Sequence, residues 1–396
     1  MVNSTVKRPK NKPNKPYPDF PLYAHATGRW AKKVKGKLHY FGSWDDPQSA
    51  LQKWIEQRDD LLAGRTPRVT SDGLTIRDVC NRYLTAKRHL LDTEELTARS
   101  FQDYYTTCER TISAFGRNRV IDDLVADDFR ALRVTLSKTR GPVALGNEIQ
   151  RVRMVFKFAY DEGLIDKPIR YGQAFDKPSK KILRQHRQKK QAENGKRMFE
   201  AKELCTIIDA ASQPLKTMIL LAINGGFGQS DLSQLPKSAI DLDSGFIDYP
   251  RPKTAVERRC PLWPETIAAL KAAMADRPTP KDEADNNLVF VTKYGNRWVK
   301  ANSTTMRDDA VGKEFSKLLR SLGLKRAGLN FYAIRHTFQT VAENSRDFPA
   351  VKHVMGHTDD SMSSIYREGI SDERLIAVTD TVHRWLFPAE DDGGPE

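Results

Sequence analysis

Between Asp176 and Met198 the chain reads DKPSKKILRQHRQKKQAENGKRM, nine Lys or Arg against two acids, Asp176 and Glu193. So dense a charge run cannot be buried in a core, and it reads as an interdomain linker, 176–198, that divides the chain. At 396 residues the chain is also too long for one ordinary core and points to two or three domains. Lys and Arg number 65 against 51 Asp and Glu, a formal charge of +14 that suits a polyanionic partner such as nucleic acid. An acidic membrane surface is the competing partner for a basic protein, but there is no run of about 18 or more apolar residues and no hydrophobic segment after the start. No membrane partner is expected, and the protein reads as soluble, unsecreted and cytoplasmic. Cys80, Cys108, Cys205 and Cys260 lie far apart with no CxxC pair, so neither a zinc knuckle nor a disulfide framework is indicated and reduced thiols are expected.

Residues 1–18 are basic and proline-rich, a composition that stays disordered until it meets a partner; a solubilising tail and a DNA-contacting tail are both open. The stretch GRWAKKVKGKLHYFGSW reads as two short strands with Lys35-Gly36-Lys37 at the turn. Its aromatics Trp30, Tyr40, Phe41 and Trp44 are interleaved with Lys32, Lys33, Lys35 and Lys37. A major groove is wide enough for such a ribbon, and lysines on it can hold phosphates; an SH3-like or purely structural sheet is the alternative. A helix is expected from Pro47 to Leu62, burying Ala50, Leu51, Trp54, Ile55 and Leu62. Residues 74–175 read as wholly helical, with Ile76, Val79, Tyr83 and Leu84 on one stripe and Ile149, Val152, Val155, Phe156 and Ala159 on another. The segment DDLVADDFRALRVTL starts a helix whose acidic first turn suits the positive end of the helix dipole. Residues 199–388 form a separate lobe: a helix at its start in FEAKELCTIIDAA, a buried helix LKTMILLAINGG ended by Gly225 and Gly226, a hairpin in FIDYPRPKTAVERRCPL, then helices near 262–275, 304–322, 331–345, 348–355 and 359–367, before an acidic tail, 389–396. The fold class expected is mainly α with small β elements, an α+β protein.

The chemistry concentrates in AIRHTF, MGHTDD and SIYRE, which carry Arg335, His336, His357 and Tyr366. A tyrosine has an unperturbed pKa of about 10 and is a poor nucleophile at neutral pH. Arg335 could hold the non-bridging oxygens of a phosphate with its planar fork, and His357 could add a donor to the oxygen on which charge develops. Tyr366 would then attack phosphorus and become joined to DNA. Taken alone, Tyr366 on the stripe Met362, Ile365, Tyr366 reads as a core residue. The ordered set decides otherwise: RHTF, then GH, then a tyrosine nine positions after that histidine resembles the C-terminal signature of the tyrosine recombinases, the phage-integrase family.

That resemblance implies a three-part chain: an arm-type DNA-binding domain with a three-stranded sheet, 19–70; a helical core-binding (SAM-like) domain, 74–175; and an integrase-type catalytic domain, 199–388. It implies a site-specific recombinase working through a 3′-phosphotyrosyl intermediate. Tyr366 is the nucleophile, Arg335 and His357 stabilise the phosphorane, and Lys253, in RPKTAVERRCPL, protonates the departing 5′ oxygen. The linker would track the phosphate backbone with Lys180, Lys181, Arg184 and Arg187. The partner implied is double-stranded DNA, with tetramers on paired sites, a monomer when free and a bacterial nucleoid setting. SDERLIAVTDTVHRWLF, with Leu375, Ile376, Thr379, Val382 and Leu386 on one face, looks like the family's terminal helix that docks on a neighbouring subunit. Because the phosphotyrosyl link preserves the phosphodiester energy, neither ATP, a metal nor another cofactor is implied, and no GxxxxGK[ST] pattern is present.

The sequence departs from the family pattern at two positions. Gly228, in GFGQSDL, stands where the first catalytic arginine belongs, and Tyr332 stands where a histidine belongs, three residues before Arg335. Tyr332 can still donate a hydrogen bond to phosphate. Arg251, Arg258 and Arg259 on or beside the hairpin, and Gln229 as a neutral donor, are the candidates to compensate, Arg251 first because it is two residues from Lys253. Two rivals remain open: a DNA-binding protein of the same fold that cannot cleave, and a type IB topoisomerase.

Overall fold

The structure, a computed structural model, describes residues 12–64, 73–301, 307–359 and 368–388. The chain divides into two compact units, Met1–Gln185 and His186–Glu396.

The first unit holds two cores. Strands β1 (Tyr23–His25), β2 (Arg29–Val34) and β3 (Lys37–Ser43) form an antiparallel sheet in that order. The β2–β3 turn is only Lys35-Gly36, at φ 47° and 82°, because a two-residue hairpin of matching twist needs left-handed backbone at both positions. Lys37 is already in β3, paired with Val34. Helix α1 (Pro47–Ala63) starts where Asp46 accepts from the Ser49 amide at 2.9 Å, with Pro47 in the first turn. Its Ala50, Trp54 and Leu61 pack on Phe20, Leu22, Trp30, Val34 and Phe41. The buried stripe differs from the expected one: Ile55 and Leu62 are exposed, at 45% and 52%. Strand β1, implied by the resemblance, has no signal in the residues, because three residues are too few to establish an alternation.

The second core is a bundle of α2 (Ile76–Asp92), α3 (Ala98–Phe115), α4 (Ala126–Ser137) and α5 (Pro142–Asp161). Thr75 and Asp78 close a reciprocal cap on α2, and Asp128 accepts from the Val125 amide at the start of α4. Every expected core residue here is buried except Leu84, which is partly so.

The expected linker contains a helix, α6 (Lys180–Asn194), none of whose residues is buried, and the boundary between the two units falls inside it. Lys, Arg and Gln are good helix formers, and with Pro178 before and Gly195 after they give a bounded helix that has no apolar face to bury.

The second unit is built on α8 (Leu215–Gly225), buried at every position but Lys216 and ended by Gly226 at φ +66°. Around it stand α7 (Ala201–Ala210), α9 (Gln229–Ser233) and a sheet of β4 (Ile240–Asp241), β5 (Phe246–Asp248) and β6 (Arg259–Pro261). Helix α10 (Pro264–Ala275) follows, then the hairpin β7 (Val299–Ala301) and β8 (Arg307–Asp309) and helices α11 (Ala310–Ser321), α12 (Phe331–Ala342) and α13 (Phe348–Met355). The helix expected from 304 thus begins at Ala310, where Asp309 caps it by accepting from the Gly312 amide. The expected helix 359–367 lies, but for Asp359, outside the described residues.

The last element, α14 (Asp372–Leu386), buries Leu375, Val378, Thr379, Val382 and Leu386 against its own unit, where they join the core of α7, α8, α12 and α13. Ile376, expected on that face, is 39% exposed. In this structure the apolar face is therefore occupied and not free to dock on a neighbour. Leu375→Ala should destabilise the second unit by about 2–5 kcal/mol in urea unfolding, the usual cost of emptying a fully buried leucine site. A loss below about 0.5 kcal/mol, the range of surface changes, would mean that α14 is not packed as described.

Candidate active site

The centre of the site is Arg335 on α12, whose side chain is 2% exposed. Asn330 fixes the start of that helix by accepting from the Ala333 amide at 3.1 Å. The Arg335 guanidinium donates to three acceptors: the Gly226 carbonyl at the end of α8, the Met355 carbonyl at 2.8 Å and His357 Nε2 at 2.7 Å. A guanidinium has no acceptor, so His357 Nε2 must be the lone-pair nitrogen and the proton sits on Nδ1. Burial, with Arg335 and then Arg251 and Lys352 beside it, pulls His357 down to about 4. The ring is neutral at pH 7 and offers its Nδ1–H as donor.

Below Arg335 lies Asp231 on α9, its side chain 7% exposed. The same oxygen, Oδ2, accepts from the Gly228 amide at 3.0 Å and from Arg258 Nη1 at 3.2 Å, with Arg335 Nη1 at 3.9 Å. Arg258 is completely buried, stacks over Phe227 at 3.9 Å and donates from Nε to the Tyr249 carbonyl. Two buried guanidinium groups thus share one carboxylate. Burial, with Arg251 next and Asp231 opposing it, lowers Arg335 to about 10, so it remains charged at neutral pH.

The hairpin between β5 and β6 brings a third cation. Arg251 donates its amide to the Val256 carbonyl at 2.9 Å, and its own carbonyl accepts from Thr254 and Ala255, so the extended strand ends at Arg251 and turns. Thr254 Oγ1 donates to the Gly356 carbonyl at 3.3 Å, holding the loop against the turn that carries His357. Gly356 caps α13 at φ +62°, and a Cβ there would lie 2.8 Å from Arg251 Cβ; only glycine admits the arginine stem.

Arg335, His357, Arg251 and Tyr332 are brought together. Tyr332, 39% exposed, presents its ring edge 3.7 Å from where a Cβ on Gly228 would stand. Lys253 is exposed on the loop and its ammonium makes no hydrogen bond or ion pair among the described residues. Tyr366 lies outside the described residues. Three candidate compensators are engaged elsewhere. Arg259 holds Asp372 at 2.7 and 2.9 Å and also pairs with Asp248. Gln229 donates to Asp309 at 3.3 Å, and Arg258 is sealed beneath Asp231. Of the expected DNA-contacting lysines, Lys33, Lys35 and Lys37 are exposed, whereas Lys32 turns inward to the Pro21 carbonyl at 3.0 Å and over the Trp54 ring. Lys180, Lys181, Arg184 and Arg187 all lie on α6. Asp231 is a site residue that motif spacing does not single out; the only signal for its pairing with Arg258 is the run of basic residues on the returning strand. Among the described residues no group of three or more His, Cys, Asp or Glu could hold a metal ion, and no helix is long and apolar enough to cross a membrane.

Residues 197–371 match the phage integrase family. Over 302 residues the chain is 25% identical to tyrosine recombinase XerC of Pseudomonas putida KT2440, covering 74% of this chain and 93% of that protein. It is 24% identical over 337 residues to tyrosine recombinase XerC of Alcanivorax borkumensis SK2, covering 81% and 99%. Among solved structures, a lambda integrase tetramer bound to a Holliday junction aligns with a TM-score of 0.54 at 17% identity over 90% of this chain and 98% of that one. The Tn1549 transposon integrase in complex with transposon right end DNA aligns at 0.52 and 17% identity over 76% and 98%. Residues 197–371 thus carry the phage integrase match, and the chain over most of its length is similar to tyrosine recombinases.

The neutral His357 gives a pH prediction. Its folded pKa lies below the ordinary value of about 6.5, so the unfolded chain takes up the proton first. The contribution of the neutral ring to stability is complete above about 6.5 and is lost as pH falls through about 4. Nitrogen-edited NMR of the imidazoles should find His357 titrating near 4 with its proton on Nδ1 at pH 7. A midpoint near 6.5 would remove the Arg335-to-Nε2 hydrogen bond from the site.

Proposed function

We propose that this chain is a site-specific recombinase that cleaves and rejoins double-stranded DNA through a 3′-phosphotyrosyl link. The observation that carries the reading is the Arg335–His357 pair over Asp231. It is a donor array held rigid by backbone carbonyls, with more positive than negative charge buried around it, so the anion it lacks is a phosphate. In the step proposed, the Tyr366 oxygen attacks phosphorus and its proton passes to solvent. The P–O5′ bond breaks, Lys253 gives a proton to the departing oxygen, and one phosphodiester has replaced another. Arg335 and the Nδ1–H of His357 hold the equatorial oxygens, and the Tyr332 hydroxyl adds a neutral donor. The fixed cations offset the charge that develops on the phosphate oxygens.

The two cores of the first unit fit the remaining roles. The sheet of β1–β3 with Lys33, Lys35 and Lys37 exposed suits an arm that tracks phosphates, the four-helix bundle suits a core-binding domain, and α6 presents Lys180, Lys181, Arg184 and Arg187 to solvent. DNA-bound tetramers, a free monomer and a place at the bacterial nucleoid are part of the same proposal. The position at Gly228 favours one other reading, a binder that has lost cleavage, and the same experiment separates the two.

Nicked suicide duplexes carrying the target site should trap a protein–DNA adduct, and Tyr366→Phe should abolish the adduct while binding stays within about twofold. An adduct formed by the Phe variant would sink the nucleophile assignment, and a wild type that binds without forming one would leave the non-cleaving reading. Affinity should also fall with salt at a slope of about −0.9 per phosphate contacted. Changing Lys33, Lys35 and Lys37 together to Ala should reduce that slope by about 2 to 3; an unchanged slope would take the ribbon out of the interface.

A further inference from the structure

We propose that Arg251, reaching in from the hairpin, supplies the second guanidinium of the phosphate clamp that position 228, a glycine, cannot. The inference rests on the recombinase reading above and adds one residue to its machinery.

Nothing in the backbone demands glycine at 228. Its φ of −91° is ordinary, and a Cβ there would meet only Asp231 Oδ2 and the Tyr332 ring, both at 3.7 Å. The side chain that would reach a phosphate from α9 is simply absent. A cation beside the Arg335–His357 pair comes instead from the hairpin. The stem of Arg251 lies along Gly356, the residue before His357, with Cδ and Cγ at 3.4 and 3.6 Å from the position of a Cβ on that glycine. Among the described residues its Nε is buried and has no hydrogen-bond partner. Its charge depresses both Arg335 and His357, which places the guanidinium within Coulombic reach of both. Two like charges brought together beside a half-buried donor group are unfavourable without an anion between them, and a phosphodiester with two non-bridging oxygens satisfies both forks at once.

The other candidates lack this freedom. Arg258 neutralises Asp231 from below and is fully buried, and Arg259 joins β5 to α14 through Asp248 and Asp372. The register explains why Arg251 differs: it is the last residue of the extended strand, where the chain turns through Thr254 and Ala255, so its side chain leaves the sheet toward α13.

The test uses the full chain and two readouts. A pool of nicked duplexes of randomised sequence is offered, and covalent adducts are separated on denaturing gels. Separately, orthovanadate, a phosphate-like oxyanion, is titrated and followed by vanadium NMR. Arg251→Met keeps the stem that packs on Gly356 and removes only the charge and the donors. It should slow adduct formation about 100-fold or more and weaken vanadate binding about tenfold, with an unchanged thermal melt. Gly228→Arg in that background should recover about tenfold or more of the lost rate, because the missing fork is returned from the α9 side. An Arg251→Met protein that cleaves at the wild-type rate overturns the clamp. A wild type that forms no adduct with any duplex sinks the recombinase reading instead, and the vanadate titration then decides alone: equal affinity of wild type and Arg251→Met overturns the proposal, a tenfold loss supports it.

Discussion

One carboxylate oxygen organises the second unit. Asp231 Oδ2 takes the Gly228 amide, the Arg258 guanidinium and the longer-range attraction of Arg335, all inside a region from which water is nearly excluded. A buried charge pair broken by losing one partner typically costs about 3–5 kcal/mol, because the other is left uncompensated. With two arginines depending on one acid, the arrangement tolerates little change. The consequence for chemistry is direct. Arg335 is held by the Gly226 and Met355 carbonyls and by His357, so under the proposed function its position is set in advance, which is what makes a donor effective in a transition state.

The fold delivers this through three chain reversals that meet at Arg335. Helix α8 ends at Gly226 in left-handed backbone, and the carbonyl released there accepts from Arg335. Helix α13 ends at Gly356 in the same way, and its last carbonyl, Met355, accepts from the other side. The hairpin loop is fastened to that second turn by Thr254. Carbonyls that a helix end would otherwise leave for water are used to hold a cation. The two glycines are therefore part of the site's construction although neither contributes a side chain.

Much of this was legible in the sequence, for reasons that differ by region. Long amphipathic helices such as α2 and α5 announce themselves because a dozen or more residues repeat the same period, and their core residues were placed correctly but for Leu84. Tyr83, Ile149 and Phe156 are buried as expected. The Arg335–His357 pair was legible from motif spacing. What was not legible is local or long-range in the wrong way. Strands of three residues, β1 and β7, are too short for an alternation. Helix α6 hides in a charge run because it has propensity and no pattern. On α1 two apolar residues, Ile55 and Leu62, mimic a buried stripe while Leu61 does the packing. The spacing to Lys253 favours Arg251 over Arg258, but that Arg258 lies buried against Asp231 while the Arg251 stem lies along Gly356 is set by the turn at Thr254–Ala255, which the sequence does not show.

The two departures from the family pattern are adjacent in space, which changes how they should be understood. Gly228 and Tyr332 come from elements a hundred residues apart, yet the tyrosine ring stands at contact distance from the place where a side chain on 228 would begin. A histidine is smaller and can carry charge; a phenol is larger and neutral at pH 7. With neither position supplying a cation, the positive charge beside Arg335 and His357 includes Arg251 from the hairpin. With a glycine at 228 and the Arg251 stem held along Gly356, the cation beside Arg335 and His357 stands on the hairpin side, the arrangement on which the proposed clamp rests.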